Sequence, residues 1–392
     1  MSYEHLLDPT LQGSIDRAIG EFARLQQFSE DFPAQRIREE AFTFDHTPQP
    51  AAPFQVAASD GSGSFPLISR DTIFFYFVTA DALTYQADGG LNPLRRTGEV
   101  EQFSEVLVWA EHWDDATKAD WLDDYYQRLT GMTFRQLAEA SDYLELKQEY
   151  AERPVPTTVK ALRPILYSAS EVDSVRKLLM GSAELAALLR VLRRPAPPDL
   201  VLMDGTLSLP SISRRETILT NVLKRHLVTQ AREQGVCAIA LSKSSTFVGA
   251  TEIAQLLTQH FDGTHWAYRF PIAGEEPLGI EGLNLPPPGA VTYLVRFHRE
   301  TPALRLDFDS RYWQAQGGDD WVKTILPQLD FCSHEARCFG YPYPLFAAHV
   351  RCSTTQDVQR AAKSRIFSGL RNAGFDPTEF EDIHTLLGMG DW

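Results

Sequence analysis

No segment of the sequence stays apolar for the roughly eighteen residues that a membrane-spanning helix needs. The opening MSYEHLLDPT lacks the basic start and apolar run of a secretory signal, so a cytoplasmic chain without membrane contact is expected. Cysteine is scarce. Cys237, Cys332, Cys338 and Cys352 sit amid apolar or helical sequence, which argues against a disulfide framework. A zinc site built on Cys332, His334 and Cys338 matches no common ligand spacing, and Cys352 is a poor fourth ligand, so buried or idle thiols are the expectation. The Gly-Lys-Ser/Thr signature of an ATP motor is absent, as are tandem repeats, heptads and low-complexity tracts.

Positive charge is also in short supply: the formal net charge is −15, which on its face speaks against a nucleic-acid partner. Its distribution is uneven. Glu99 to Asp124 carries nine acidic residues against one Lys, whereas Arg351 to Arg371 and Arg214 to Arg232 each carry five basic residues against one acidic. Each basic stretch alone reads as a solvated helix face; together they could line a DNA channel.

What is present is an ordinary globular composition, 43% hydrophobic and 23% charged, enough for one enlarged α/β domain. Ile15, Ile19, Phe22 and Leu25 recur at helical spacing within residues 11–28, and a polar link at 45–53 follows. PFQVAASDGSGSFP and TIFFYFVTADALTY read as neighbouring strands joined by a turn, and EVEQFSEVLVWAEHW as a third. Residues 117–150 read as helical. Residues 171–194 form a helix closed by PAPP, which leads into the strand of DLVLMDGTLSLP. A basic helix near 214–234, the strand VCAIALSKS and a helix from about Thr251 come next. Residues 262–290, rich in aromatics, Gly and Pro, read as a loop insertion. Strands TYLVRF and ALRLDF, a helix at 318–330 and a Pro-punctuated turn opening a helix with His349 complete the pass. Strands first and strand-helix alternation later predict a mixed central sheet flanked by helices, the order of RNase H-like proteins. The domain is expected over 51–372, with a helical insertion at about 112–165, after a helical segment at 1–50 and before a tail at 373–392.

Asp followed by Gly and a hydroxyl residue occurs after strand-like sequence twice, at Asp60-Gly61-Ser62 and Asp204-Gly205-Thr206. Each alone is an ordinary turn dipeptide. As a pair they suit phosphodiester hydrolysis, where a hard cation held by carboxylates activates water and stabilises the leaving oxygen.

The segments VAASDGSGS and LVLMDGTLSLP, the Lys of AIALSKS and the string GYPYPLFAAHVRC resemble, in order, the motifs of the NurA nucleases. The likeness runs over roughly residues 54–365. It implies an RNase H-like fold and a manganese-dependent, dimeric DNA nuclease working with the hexameric HerA translocase in end processing. Position by position it implies Asp60 and Asp204 as metal carboxylates, and Glu184, with Glu171 the weaker match, as the upstream Glu. His349 would be a metal ligand or proton-transfer group. Tyr341 would be the functional Tyr, with Tyr343 close enough to compete, and Lys243 would hold a phosphate oxygen. A two-ion manganese site is expected, with magnesium accepting the same oxygens. Exonuclease action with single-strand endonuclease activity in DNA repair is the leading expectation. The alternatives are the nuclease of an anti-phage complex, or a non-catalytic adaptor that only holds DNA or the translocase. The insertion at 262–290 and the acidic segment 99–124 match no motif of the family.

Overall fold

The computed structural model describes residues 9–25, 32–46, 49–63, 66–88, 94–150, 172–209, 215–243, 249–262, 265–280, 289–335, 337–338, 340 and 341–376. Strands are numbered in chain order: β1 Phe42–Phe44, β2 Phe54–Gly63, β3 Ile68–Arg70, β4 Ile73–Ala87, β5 Leu94–Ala110, β6 Leu200–Asp204, β7 Cys237–Ser242, β8 His265–Arg269, β9 Ala290–Arg296 and β10 Leu304–Asp309. All belong to one sheet, in the order β1-β8-β9-β10-β7-β6-β2-β4-β3, with β5 also on β4. Its centre mixes antiparallel and parallel pairs. β2, β4 and β5 pair antiparallel, while β6 lies parallel to β2 and β7 parallel to β6. An antiparallel wing of β10, β9, β8 and β1 extends it.

The helices are α1 Pro9–Leu25, α2 Ala34–Glu40, α3 Asp115–Thr130, α4 Phe134–Glu139, α5 Tyr143–Tyr150, α6 Val172–Leu192, α7 Arg215–Glu233, α8 Ala250–His260, α9 Ser310–Gln316, α10 Asp319–Cys332, α11 Tyr343–Cys352 and α12 Gln356–Asn372. Strand alternation sorts side chains between two cores. Ala57, Val201 and Met203 face the layer of α3 to α7, together with Leu179, Leu188 and Leu223. Val56, Ala58, Leu200 and Leu202 face α10 and α11, together with Leu326, Leu329 and Leu345. Strands β6 and β7 are covered on both sides, which explains their unbroken apolar runs. A third cluster, with Ile37, Ile253, Leu257 and Trp266, fastens α2 and α8 to the wing.

Several sequence expectations need correction. Residues 262–290 are not all loop: HWAYR forms β8, pairing with β1 on one side and β9 on the other. β1 itself places part of the first fifty residues in the sheet. Asp60 is not at a strand end, because β2 runs on to Gly63 and Asp60 faces Asp81 of β4. The basic stretch 214–232 is no open face for phosphates over its described part. The Arg225 guanidinium is fully buried and donates to Asp142 and Asp309 at 2.7 Å, and Arg232 pairs with the same two carboxylates at 3.1 and 2.8 Å. Helix α12, from the other basic stretch, has no buried residue and keeps Arg360, Arg365 and Arg371 exposed. Of the cysteines, Cys237, Cys332 and Cys352 are buried free thiols. Among the described residues, no helix is long and apolar enough to cross a membrane.

Candidate carboxylate centre

Register brings the two Asp-Gly motifs level. Ala58 of β2 pairs with Leu202 of the parallel β6, and two residues further along each strand stand Asp60 and Asp204. Neighbouring strands lie about 4.8 Å apart, so the carboxylates leave adjacent backbones side by side. Both continue the even-numbered positions that face α11. Asp204 is the last residue of β6, and Gly205 turns the chain at φ 100 while its N–H donates to the Leu241 carbonyl at 2.7 Å. A side chain would be strained at that φ. Beyond the turn, the Leu207 N–H donates to buried Asp307 at 3.0 Å, which holds the loop down.

Gly61 serves a different need. A Cβ there would stand 3.1 Å from the Met180 carbonyl oxygen and 3.3 Å from the Glu184 Cβ, so a bare backbone lets α6 lie close against β2. That approach carries Glu184 to the centre from the opposite layer. Its carboxylate accepts the Asp204 backbone N–H. Burial, followed by the charges of Asp60 and Asp204, pushes the Glu184 carboxyl well above its ordinary range, against the opposing pull of Lys224. Burial also raises Asp60, despite hydrogen bonds from His349 and from the Gly61 N–H.

Helix α11 supplies the last groups. Pro344 in its first turn costs nothing there, because that turn has no intrahelical acceptor for its N–H groups. His349 Nδ1 lies 2.5 Å from Asp60 Oδ2. The helix is fastened over the centre by the Thr79 hydroxyl donating to the Cys352 carbonyl at 3.0 Å and by Arg351 pairing with Asp81 at 3.0 Å. Lys243, just after β7, stands 3.9 Å from Asp204 and 4.8 Å from the Tyr341 ring centre. The Tyr341 phenol is held far on its protonated side by burial and by the charges of Asp204, Asp60 and Glu184. Tyr343 packs instead edge-to-face on Tyr85, with Arg337 over its ring.

All six residues singled out in the sequence, Asp60, Glu184, Asp204, Lys243, Tyr341 and His349, thus converge, and Glu171 lies outside the described residues. Sequence reasoning missed Lys224. Its ammonium donates to the Thr206 carbonyl at 2.7 Å and to Asn221 Oδ1 at 3.2 Å. Burial lowers its pKa to about 8. Its signal was a lysine among positions that face the core, between Leu223 and Leu227 on α7. The donor set is hard oxygen with one imidazole, and three carboxylates crowd together with few cations. That set fits a divalent oxygen-seeking ion such as manganese or magnesium, which Asp60, Asp204 and Glu184 could hold with His349 beside them.

Sheet order and site define an RNase H-like protein with a three-carboxylate centre. The NurA domain family model matches residues 133–352, more than half of the chain, and the chain belongs to the NurA family. The matched span includes every residue of the centre except Asp60. The crystal structure of the NurA nuclease from Sulfolobus solfataricus has the same fold, with a TM-score of 0.52 and 15% identity, covering 95% of this chain and 97% of that one. Two further NurA crystal structures are more distant. One matches with a TM-score of 0.39 and 11% identity over 93% of this chain and 98% of that one. The other, bound to dAMP and manganese, matches with a TM-score of 0.39 and 13% identity over 92% and 97%. The comparison with curated proteins finds no match.

Proposed function

We propose that this chain is a metal-dependent deoxyribonuclease that hydrolyses phosphodiester bonds at the carboxylate centre. The observation that carries the reading is the convergence of Asp60, Glu184 and Asp204, from two parallel strands and a helix of the opposite layer, beside His349. Asp60, Glu184 and Asp204 would hold the manganese, two ions on this reading, and the bound metal would supply an activated water and stabilise the departing oxygen. Lys243 orients a non-bridging phosphate oxygen, and the Tyr341 ring beneath it fixes where that ammonium can stand. His349, held by Asp60, carries a proton to the leaving oxygen or completes a metal's ligands. The exposed cations of α12, which follows directly from the helix bearing His349, track the DNA backbone toward the centre.

Family membership supports the wider reading: an exonuclease with single-strand endonuclease activity, dimeric and cytoplasmic, fed by a HerA-type hexameric translocase in DNA end resection. The decisive assay is cleavage of labelled single-stranded DNA with manganese. Wild-type protein should cut, and Asp60→Ala and Asp204→Ala should not, while both variants still bind DNA. Full activity in both variants would refute the assignment, and a pure adaptor would leave the wild type inert as well. Stimulation by, and co-purification with, a HerA-like ATPase checks the partner.

A further inference from the structure

A second group of metal-ligating side chains lies at the far side of the sheet, where the wing ends. His46 follows edge strand β1, His265 opens β8, Asp330 stands in the last turn of α10 and His334 comes just after that helix. The Asp330 side chain is fully buried. His334 Nε2 lies 2.8 Å from its Oδ1, His46 Nδ1 lies 3.0 Å from its Oδ2, and His265 Nε2 lies 3.7 Å from Oδ1. One ligand atom from each of the four residues falls within 4.8 Å of all the others. The rings crowd as well, with centroids of His46 and His334 at 3.9 Å and of His265 and His334 at 5.5 Å.

We infer that His46, His265, Asp330 and His334 form a transition-metal site that takes zinc, separate from the carboxylate centre. Bonds of about 2.0 Å at tetrahedral angles put ligand atoms roughly 3.3 Å apart, a separation that the observed distances bracket. Three imidazoles and one carboxylate favour zinc, whereas manganese and magnesium prefer the oxygen-rich set at the other site. The His265 ring also hydrogen-bonds to the Phe297 backbone carbonyl, the kind of outer contact that fixes the tautomer and orientation of a metal-bound histidine. Four protein ligands close the coordination shell, so the metal here is structural. What it ties down is evident from the topology. β1 has three residues and pairs only with β8 among the described strands, so a metal joining His46 to His265 and to the end of α10 pins that edge in place. Four strand spacings, about 19 Å, separate β8 from β6, so this metal cannot serve the phosphodiester chemistry directly.

The test uses tag-free, full-length protein, loaded with zinc and dialysed against metal-free buffer, with metal content measured by mass spectrometry. Wild type and Asp204→Asn should each retain about one zinc per chain, and the His265→Ala/His334→Ala double variant should retain none. Chelation should lower the thermal midpoint of the wild type by several degrees. Failure of the wild type to retain zinc, or undiminished zinc in the double variant, would overturn the assignment; loss of the zinc in Asp204→Asn would move it to the carboxylate centre and do the same. Should the double variant fail to fold, cobalt decides on the wild type. The intense visible absorption of a tetrahedral cobalt site is expected, and only the weak bands of an octahedral ion would contradict the proposal.

Discussion

Two clusters of carboxylates in this molecule differ in how their charge is met. In one, Asp142 and Asp309 share the guanidinium groups of Arg225 and Arg232, so that buried acids and bases are matched nearly one for one. Burial alone would raise the Asp142 carboxyl, yet the hydrogen bond and charge of Arg225 and the charge of Arg232 hold it below its usual range. In the other, Asp60, Glu184 and Asp204 crowd against one another with Lys243 at 3.9 Å, the imidazole of His349 and, further back, Lys224. There burial wins, and the Asp60 and Glu184 carboxyls are pushed upward. Matched charge holds elements together, here α5 and α7 to the end of β10. Unmatched charge is a standing cost to the fold, and it is offset when a cation binds.

The contrast can be broken from either side. The largest effect is expected from Asp204→Asn or Asp60→Asn: cleavage should fall on the order of a thousandfold or more, since metal-held charge contributes several kcal/mol at about 1.4 kcal/mol per tenfold. Their thermal midpoints, read by calorimetry without metal, should stay level or rise as repulsion is relieved. Asp142→Ala should do the reverse. Removing one of the two carboxylates that hold buried Arg225, with Asp309 left as its remaining acid, should cost about 3–5 kcal/mol in denaturant unfolding, with cleavage by the folded fraction intact.

The matched cluster also has a pH signature. Because the Asp142 pKa is depressed in the folded state, its contribution is fully present above its unfolded pKa of about 3.9 and is lost as pH falls through the lower folded value. Acid unfolding curves of wild type should show a loss below about pH 4 that Asp142→Asn lacks. A smaller effect is expected from Gly61→Ala, which presses on the Met180 carbonyl and Glu184. Overpacking of about 1–3 kcal/mol should appear in unfolding, together with a partial loss of cleavage as Glu184 is displaced. The smallest is expected from Lys363→Ala with Arg365→Ala on α12. Two lost phosphate contacts should flatten the salt dependence of single-stranded DNA binding by about 1.4 in log–log slope, measured by fluorescence anisotropy.

Much of this was legible in the sequence, for a physical reason. β2, β4, β6 and β7 are rich in residues that fit a covered sheet, and each Asp-Gly pair falls at or near the end of such a run. Local composition therefore marked the two Asp-Gly pairs as candidates, and the resemblance of the ordered motifs pointed to Lys243, Tyr341 and His349 beside them. Features that depend on distant partners were not legible. β1 and β8 are three and five residues long, too short for a periodic signal, and exist because they pair with each other and with β9. The cations of 214–232 looked available because Asp142, which neutralises Arg225, lies 83 residues away. Lys224 looked like any helix lysine until α7 was packed on the sheet. The four ligands of the second site come from positions 46, 265, 330 and 334, a spacing that no motif encodes.

On the proposed function, the unmatched carboxylates hold metal where a phosphate lies. Anomalous diffraction at the manganese edge from crystals soaked in manganese tests it most directly. Manganese is expected within about 2.0–2.3 Å of oxygens of Asp60 and Asp204, with Glu184 and His349 in or next to the coordination shell. Manganese bound elsewhere, with these side chains unengaged at saturating metal, would contradict it.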